Sequence, residues 1–144
     1  MYKLYIEKDV TTKELFYKVI NDLGIKDSLI YNEYGKPYFE NSNLFFNMSS
    51  SGCYTVLAIS NKEVGVDIER ITLNDSVIDR ICTDEEKKII KNADDFTIMW
   101  TKKESYVKWL GIGLSYGLKN VDTLKIKGFK VIKKDDYYIS VYEN

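Results

Sequence analysis

The sequence predicts an α+β fold, and three observations carry that reading. Apolar or alternating runs of strand length recur at 2–7, 43–49, 53–60 and 63–69. Between about 74 and 111 the pattern shifts to capped segments of helical period. Strand-like runs return between 121 and 143, so strands and helices segregate rather than alternate. No repeat, linker or low-complexity segment divides the 144 residues, and a single compact domain, 1–144, is expected. A chain of this size buries roughly 68–70% of its unfolded surface and needs no staple.

Each element has a local reason. "YKLYIE" (2–7) alternates as a strand. Thr11 or Thr12, with Glu14 behind it, caps a helix over about 12–23. Its stripe is Leu15, Phe16, Val19, Ile20 and Leu23, and Gly24 stops it. "LIYNEYGKPYFEN" (29–41) reads as two short strands around Gly35, with the only proline, Pro37. "NLFFNMS" (43–49), "CYTVLAIS" (53–60) and "EVGVDIE" (63–69) follow, with Asn61-Lys62 as a tight hairpin turn between the last two. Helices are expected at 74–82, at 83–92 with a Thr83/Glu86 capping box, and at 94–111 with Asp94 or Asp95 as cap and Gly111 as stop. "VDTLKIK", "FKVIKK" and "YYISVYE" complete the chain as antiparallel strands.

Composition removes several functions. The net charge of −1 gives no general field for nucleic acid, and no run of 18 apolar residues predicts a membrane span. The N-terminal stretch has no apolar h-region, so no secretory signal is expected and the cytoplasm is the expected compartment. Cys53 and Cys82 both sit in apolar sequence and are expected as buried free thiols. Histidine is absent, which excludes Ser-His-Asp and Cys-His catalysis and histidine metal sites. The cations are nearly all lysine, Arg70 and Arg80 being the only arginines; lysine meets phosphate as a point charge.

Four stretches can carry chemistry. In "VGVDIER", Asp67 and Glu69 share one strand face; this is either a solvated face or a site for a divalent cation such as magnesium. On the helix 94–111, Lys103 falls amid Phe96, Met99, Trp100, Val107 and Leu110, where it either snorkels or points into a polar cleft. Glu104 and Lys108 are an i,i+4 pair, and packing of this helix on strand 64–69 would bring Glu104 to Asp67 and Glu69. "FNMSSSG" (46–52) offers Ser49, Ser50 and Ser51 as a turn, a nucleophile or a cradle for an anion; without histidine, none can be a triad nucleophile. "LGIGLSYG" (110–117) matches no phosphate-loop pattern and reads as a helix stop with a flexible link.

Taken in order, "GKPYF", "FNMSSSG", "VGVDIE" and "WTKKESYVKWLGIGL" resemble the 4'-phosphopantetheinyl transferases, of the surfactin-synthetase-activating type, over about residues 34–118. The resemblance implies a pseudo-dimer of two small α+β halves with antiparallel sheets, about 1–62 and 63–144, which can act as a monomer. It implies transfer of 4'-phosphopantetheine from coenzyme A to a serine of an apo acyl or peptidyl carrier protein, in fatty-acid, polyketide or nonribosomal peptide synthesis, releasing 3',5'-ADP. By resemblance Asp67, Glu69 and Glu104 surround Mg²⁺, with Mn²⁺ the alternative ion. Glu104 is the candidate base, and Lys108 meets a phosphate and can protonate the leaving group. Lys36, Pro37, Ser49, Ser50, Ser51 and Lys103 fall at coenzyme-binding positions, and Glu86 near a further acidic one.

Two departures accompany the resemblance. Ser50 stands where the family pattern has histidine, and a basic stretch for the coenzyme's 3'-phosphate is missing between the first strand and helix. The alternative they motivate is a non-catalytic module that binds coenzyme A or a carrier; a metal-dependent phosphohydrolase is a third reading. Lys102, Lys103 and Lys108 with Tyr106 form an expected docking patch for an acidic carrier protein.

Overall fold

In the computed structural model, which describes residues 1–144 with the side chain of Leu114 excepted, two three-stranded sheets meet edge to edge. The first half runs β1 (Lys3–Lys8), α1 (Thr12–Asp22), β2 (Leu29–Tyr31), β3 (Pro37–Phe39), β4 (Phe45–Ser51) and β5 (Tyr54–Ser60). The second runs β6 (Val64–Arg70), α2 (Asp75–Ile81), α3 (Asp84–Ile89), α4 (Ala93–Leu110), two 3₁₀ turns, β7 (Lys130–Lys134) and β8 (Tyr137–Glu143). Both sheets are antiparallel, ordered β1-β5-β4 and β6-β8-β7, and β2 pairs with β3 as a separate hairpin. The same strand order thus occurs in each half: an outer first strand, a central last strand and the penultimate strand beyond it.

Period two explains how the layers stack. All seven residues of β5 are buried, Thr55 and Ser60 being the polar ones, so both faces of the strand are covered. Leu57 and Ile59 pack with Leu15, Phe16 and Val19 of α1 and with Phe39 and Phe46. The alternate residues, Tyr54, Val56 and Ala58, pack against Val64, Val66 and Ile68 of β6 and Ile139 and Val141 of β8. A third cluster joins α2 to α4 through Val77, Ile81, Cys82, Phe96 and Met99. Local signals mostly fall where the sequence puts them: Thr11 and Glu14 form a capping box at α1, as do Thr83 and Glu86 at α3.

The other face of β6 carries Gly65, Asp67 and Glu69, and α4 lies against it. A Cβ on Gly65 would stand 2.0 Å from the Ser105 carbonyl oxygen and 2.5 Å from the Trp109 nitrogen. The Ser105 and Ser140 hydroxyls meet at 3.0 Å in the same contact. Small residues therefore set how close the helix comes to the sheet.

Several expectations are corrected. β5 and β6 do not form a hairpin about Asn61-Lys62: both edges of β5 are taken by β1 and β4, so the chain crosses to the second sheet there. Residues 121–127 are not a strand. The Asp122 carbonyl accepts from the Lys125 and Ile126 amides, and Glu86 takes the amide and hydroxyl of Thr123, which leaves a turn. The row of serines is not a turn but the end of β4, with Gly52 and Cys53 forming the turn to β5. Asn92 rather than Asp94 or Asp95 caps α4, accepting from the Asp95 amide at 2.8 Å. Cys82 is buried, but Cys53 is exposed at its turn. Among the described residues, no helix is long and apolar enough to cross a membrane.

Gly65→Ala is expected to lower stability by about 1–3 kcal/mol, the usual cost of overpacking, because the added methyl meets helix backbone rather than a side chain that can turn away. Denaturant unfolding measures this; an unchanged midpoint would contradict the direct seating of α4 on β6.

Candidate active site

The edge strands β4 and β6 face each other without a backbone ladder, and side chains fill the gap. Asn47 Oδ1 accepts from the Val66 amide at 2.9 Å, and Ser49 Oγ lies 3.4 Å from the Ile68 amide. From α4, Lys108 Nζ donates to the carbonyls of Met48 on β4 and Val66 on β6, each at 3.1 Å. Alternation explains the set: Asn47 and Ser49 lie two apart on one strand face. Ser50 is exposed and Ser51 half-buried.

Asp67 occupies the middle of this seam at 4% exposure. Its Oδ1 accepts from the Ser49 hydroxyl at 3.1 Å and lies 3.6 Å from Lys108 Nζ. Its Oδ2 is buried and has no hydrogen-bond partner. Burial pushes the Asp67 carboxyl well above the ordinary carboxylate range; Lys108 and Ser49 oppose the rise, and the charges of Glu69 and Glu104 add to it. Burial also raises Glu69; its side-chain contact with the Asp67 carboxyl and the charge of Lys108 oppose the rise, and the charge of Glu104 adds to it. Glu104 is half-buried, and its Oε1 accepts from the Trp100 indole at 3.3 Å.

The three carboxylates the sequence singles out are thus neighbours, with Lys108 beside them. Among the described residues, no three Asp, Glu, Cys or His side chains are grouped closely enough to hold a metal ion between them. In residue type the three carboxylates are the oxygen donors a hard cation takes together with water or phosphate; they lie in mutual electrostatic range, and one buried oxygen, Asp67 Oδ2, accepts from no donor group. A cleft of about 260 Å³ opens alongside, walled by Tyr34, Lys36 and Pro37 on one side and Glu104, Val107 and Lys108 on the other.

Lys103 corrects the reading made from sequence. It is fully buried, and its Nζ donates to Glu86 Oε1 at 2.7 Å, to the Val121 carbonyl at 2.5 Å and to the Leu118 carbonyl at 3.2 Å. It therefore neither reaches the cleft nor joins a docking patch; it ties α4 to α3 and to the turn at 118–124. Burial works to raise the Glu86 carboxyl, yet hydrogen bonds from Lys103, Thr123 and the Thr83 amide hold it below its ordinary range. Lys36 borders the cleft with its stem, while its ammonium is buried against Glu63 and main-chain carbonyls. Sequence reasoning missed Asn47, whose signal was its period-two spacing from Ser49, and Trp100, one helical turn before Glu104.

The fold and site together define an α+β protein with an acidic, lysine-edged cleft at the junction of its two sheets. Comparison with known proteins makes this specific. The sequence model of the 4'-phosphopantetheinyl transferase superfamily matches residues 63–141, and the chain belongs to that superfamily. It is 34% identical over 125 residues to the 4'-phosphopantetheinyl transferase gsp of Aneurinibacillus migulanus, covering 73% of this chain and 52% of the relative. It is 33% identical over 117 residues to a 4'-phosphopantetheinyl transferase of Bacillus subtilis, covering 76% and 49%. The 4'-phosphopantetheinyl transferase Sfp of Bacillus subtilis strain 168 is 33% identical over 94 residues, covering 60% and 42%. The chain spans about half the length of these relatives.

Two outcomes follow from the buried charges. Lys103→Met should cost about 3–5 kcal/mol, since it strands Glu86 in the interior; unfolding of the variant with near-normal stability would contradict the buried pair. For Asp67, a carboxyl raised on folding holds its proton more tightly in the folded chain. Its stabilisation is full below the unfolded pKa, about 3.9, and is lost as pH rises through the raised folded value. Asp67→Asn should therefore stabilise the metal-free protein at neutral pH, by about 1–3 kcal/mol, and remove that pH dependence. A variant less stable than the parent at pH 7 without divalent ions would contradict the reading.

Proposed function

We propose that this chain transfers 4'-phosphopantetheine from coenzyme A to a serine of an apo acyl or peptidyl carrier protein and releases 3',5'-ADP. The observation that carries the proposal is Asp67 Oδ2, buried without a donor beside Glu69, Glu104 and Lys108 at the border of a cleft. Membership of the transferase superfamily supports it. The recurrence of one strand order in residues 1–62 and 63–144 supports reading the fold as a pseudo-dimer with its site at the junction, able to act as a monomer.

In this reading the carrier serine Oγ bonds to the phosphorus that bears pantetheine. The P–O bond to the nucleotide breaks, and its electron pair leaves with 3',5'-ADP. The serine proton passes to Glu104, directly or through water, and the Trp100 indole holds that carboxylate in place. Asp67, Glu69 and Glu104 would hold Mg²⁺, or Mn²⁺, which supplies a sink for charge on the pyrophosphate oxygens. Lys108 reaches the cleft from α4; two of its ammonium protons stay on the seam carbonyls, and the third, now facing Asp67, is the one to meet phosphate or the departing nucleotide. Pro37 and the stem of Lys36 form the far wall of the cleft, Ser49 orients Asp67, and Ser50 and Ser51, at the end of β4, would offer hydroxyls to the coenzyme. Such positioning and charge stabilisation are the main demands of phosphoryl-type transfer.

The test incubates the chain with coenzyme A, Mg²⁺ and apo carrier proteins and weighs each carrier. A gain of one phosphopantetheine is expected, falling by about 10²–10³ in rate in Asp67→Ala and Glu104→Ala, the scale for removing a charge-stabilising group. Coenzyme A bound with no carrier modified would favour a non-catalytic binding module. Turnover of coenzyme A by water alone would favour a hydrolase.

A further inference from the structure

The stretch "LGIGL", which reads in sequence as a flexible link, is gripped from across the molecule. Helix α4 ends at Gly111, whose φ of 69° requires the left-handed region and whose amide returns to the Val107 carbonyl at 3.0 Å. The last carbonyls of a helix need outside donors. Here the β2–β3 hairpin of the first half supplies them. Lys36 Nζ donates to the Lys108 carbonyl at 2.7 Å, with the Trp109 carbonyl at 3.4 Å, and also meets the Val64 carbonyl at 3.1 Å and Glu63 Oε1 at 2.5 Å. Asn32 Nδ2 donates to the Gly111 carbonyl at 2.7 Å, while its Oδ1 accepts from the amides of Tyr34 and Lys36. The fit is close enough that a Cβ on Gly111 would lie 3.1 Å from Asn32 Nδ2, 3.1 Å from Lys36 Cδ and 3.2 Å from the Tyr38 hydroxyl oxygen.

This clasp joins the two walls of the cleft. One wall is the hairpin, through Tyr34, Lys36 and Pro37; the other is α4, through Glu104 and Lys108. Lys36 bonds the carbonyl of Lys108 itself, so it holds the backbone from which that side chain reaches the seam. Reaching a phosphate would require its ammonium to leave a carboxylate and three carbonyls, orphaning the end of the helix. A cation there also complements the helix dipole.

We propose that Lys36 is a positioning residue: it caps the C-terminus of α4 and, with Asn32, fixes the separation and register of the cleft walls, rather than binding the coenzyme's phosphates. Its kinetic readout rests on the transferase reading; its structural readout does not. The experiment uses Lys36→Met and the milder Asn32→Ala in the full chain, each assayed for transfer and for amide hydrogen exchange without ligand. Both variants should lower kcat by about tenfold or more, with KM for coenzyme A changed by less than about threefold. Exchange at the Gly111 amide should speed by about tenfold or more. A Lys36→Met enzyme with unchanged kcat and a KM raised about tenfold would make Lys36 a coenzyme ligand and overturn the proposal. Unchanged kinetics in both variants of an active protein would overturn it as well. If the parent chain transfers nothing, the transferase reading fails on its own. The clasp is then decided by exchange: faster exchange at Gly111 in both variants upholds it, and unchanged exchange overturns it.

Discussion

The seam between β4 and β6 is the constraint on which the rest of the structure depends. Two sheet edges meet there with their backbone groups too far apart to pair directly, and buried backbone polar groups must find partners. Asn47 and Ser49 supply them from one side, and Lys108 bridges both strands from above. Because these three residues are committed to closing the seam, the Asp67 carboxylate is drawn into a nearly dry position with only one of its oxygens served. The polar atoms that join the halves are thus the atoms that create the site. An apolar seam would be simpler to stabilise, but it would carry no unsatisfied oxygen.

Helix α4 converts this local tension into a defined geometry. Gly65 lets its backbone touch β6, the Lys103–Glu86 pair fixes its middle to α3, and the hairpin clasp fixes its end. Glu104 and Lys108 are therefore presented from a helix restrained at three points. Buried ion pairs are poor sources of net stability, but Lys103 and Glu86 are each fully hydrogen-bonded and couple three segments. That arrangement suits chemistry in which the protein contributes alignment and fixed charge more than covalent participation.

The sequence made legible what depends on local pattern. The α+β class, the capping boxes at Thr11 and Thr83, the long helix and the shared face of Asp67 and Glu69 all follow from periodicity and cap chemistry. Motif order pointed to the superfamily, in agreement with the match over 63–141. What escaped was whatever depends on partners distant in the chain. Lys103 cannot be told from a cleft lysine until Glu86, 17 residues away, is seen to meet it. "VDTLKIK" has strand composition, but the Glu86 carboxylate takes its Thr123 amide. Lys36 and Gly111 meet across a separation no local pattern encodes. Asn61-Lys62 resembles a hairpin turn, yet β1 and β4 already occupy both edges of β5.

In the proposed transferase, Asp67 Oδ2 accepts from no donor inside the protein because that oxygen is kept for a cation carrying the coenzyme's pyrophosphate. A crystal structure of the chain with coenzyme A and Mg²⁺ tests it most directly. Density is expected for a cation bonded to Asp67 Oδ2, with Glu69 and Glu104 around it and the pyrophosphate in the cleft beside Lys108. A structure with coenzyme A bound elsewhere, and Asp67 Oδ2 still buried and unpartnered, would contradict it.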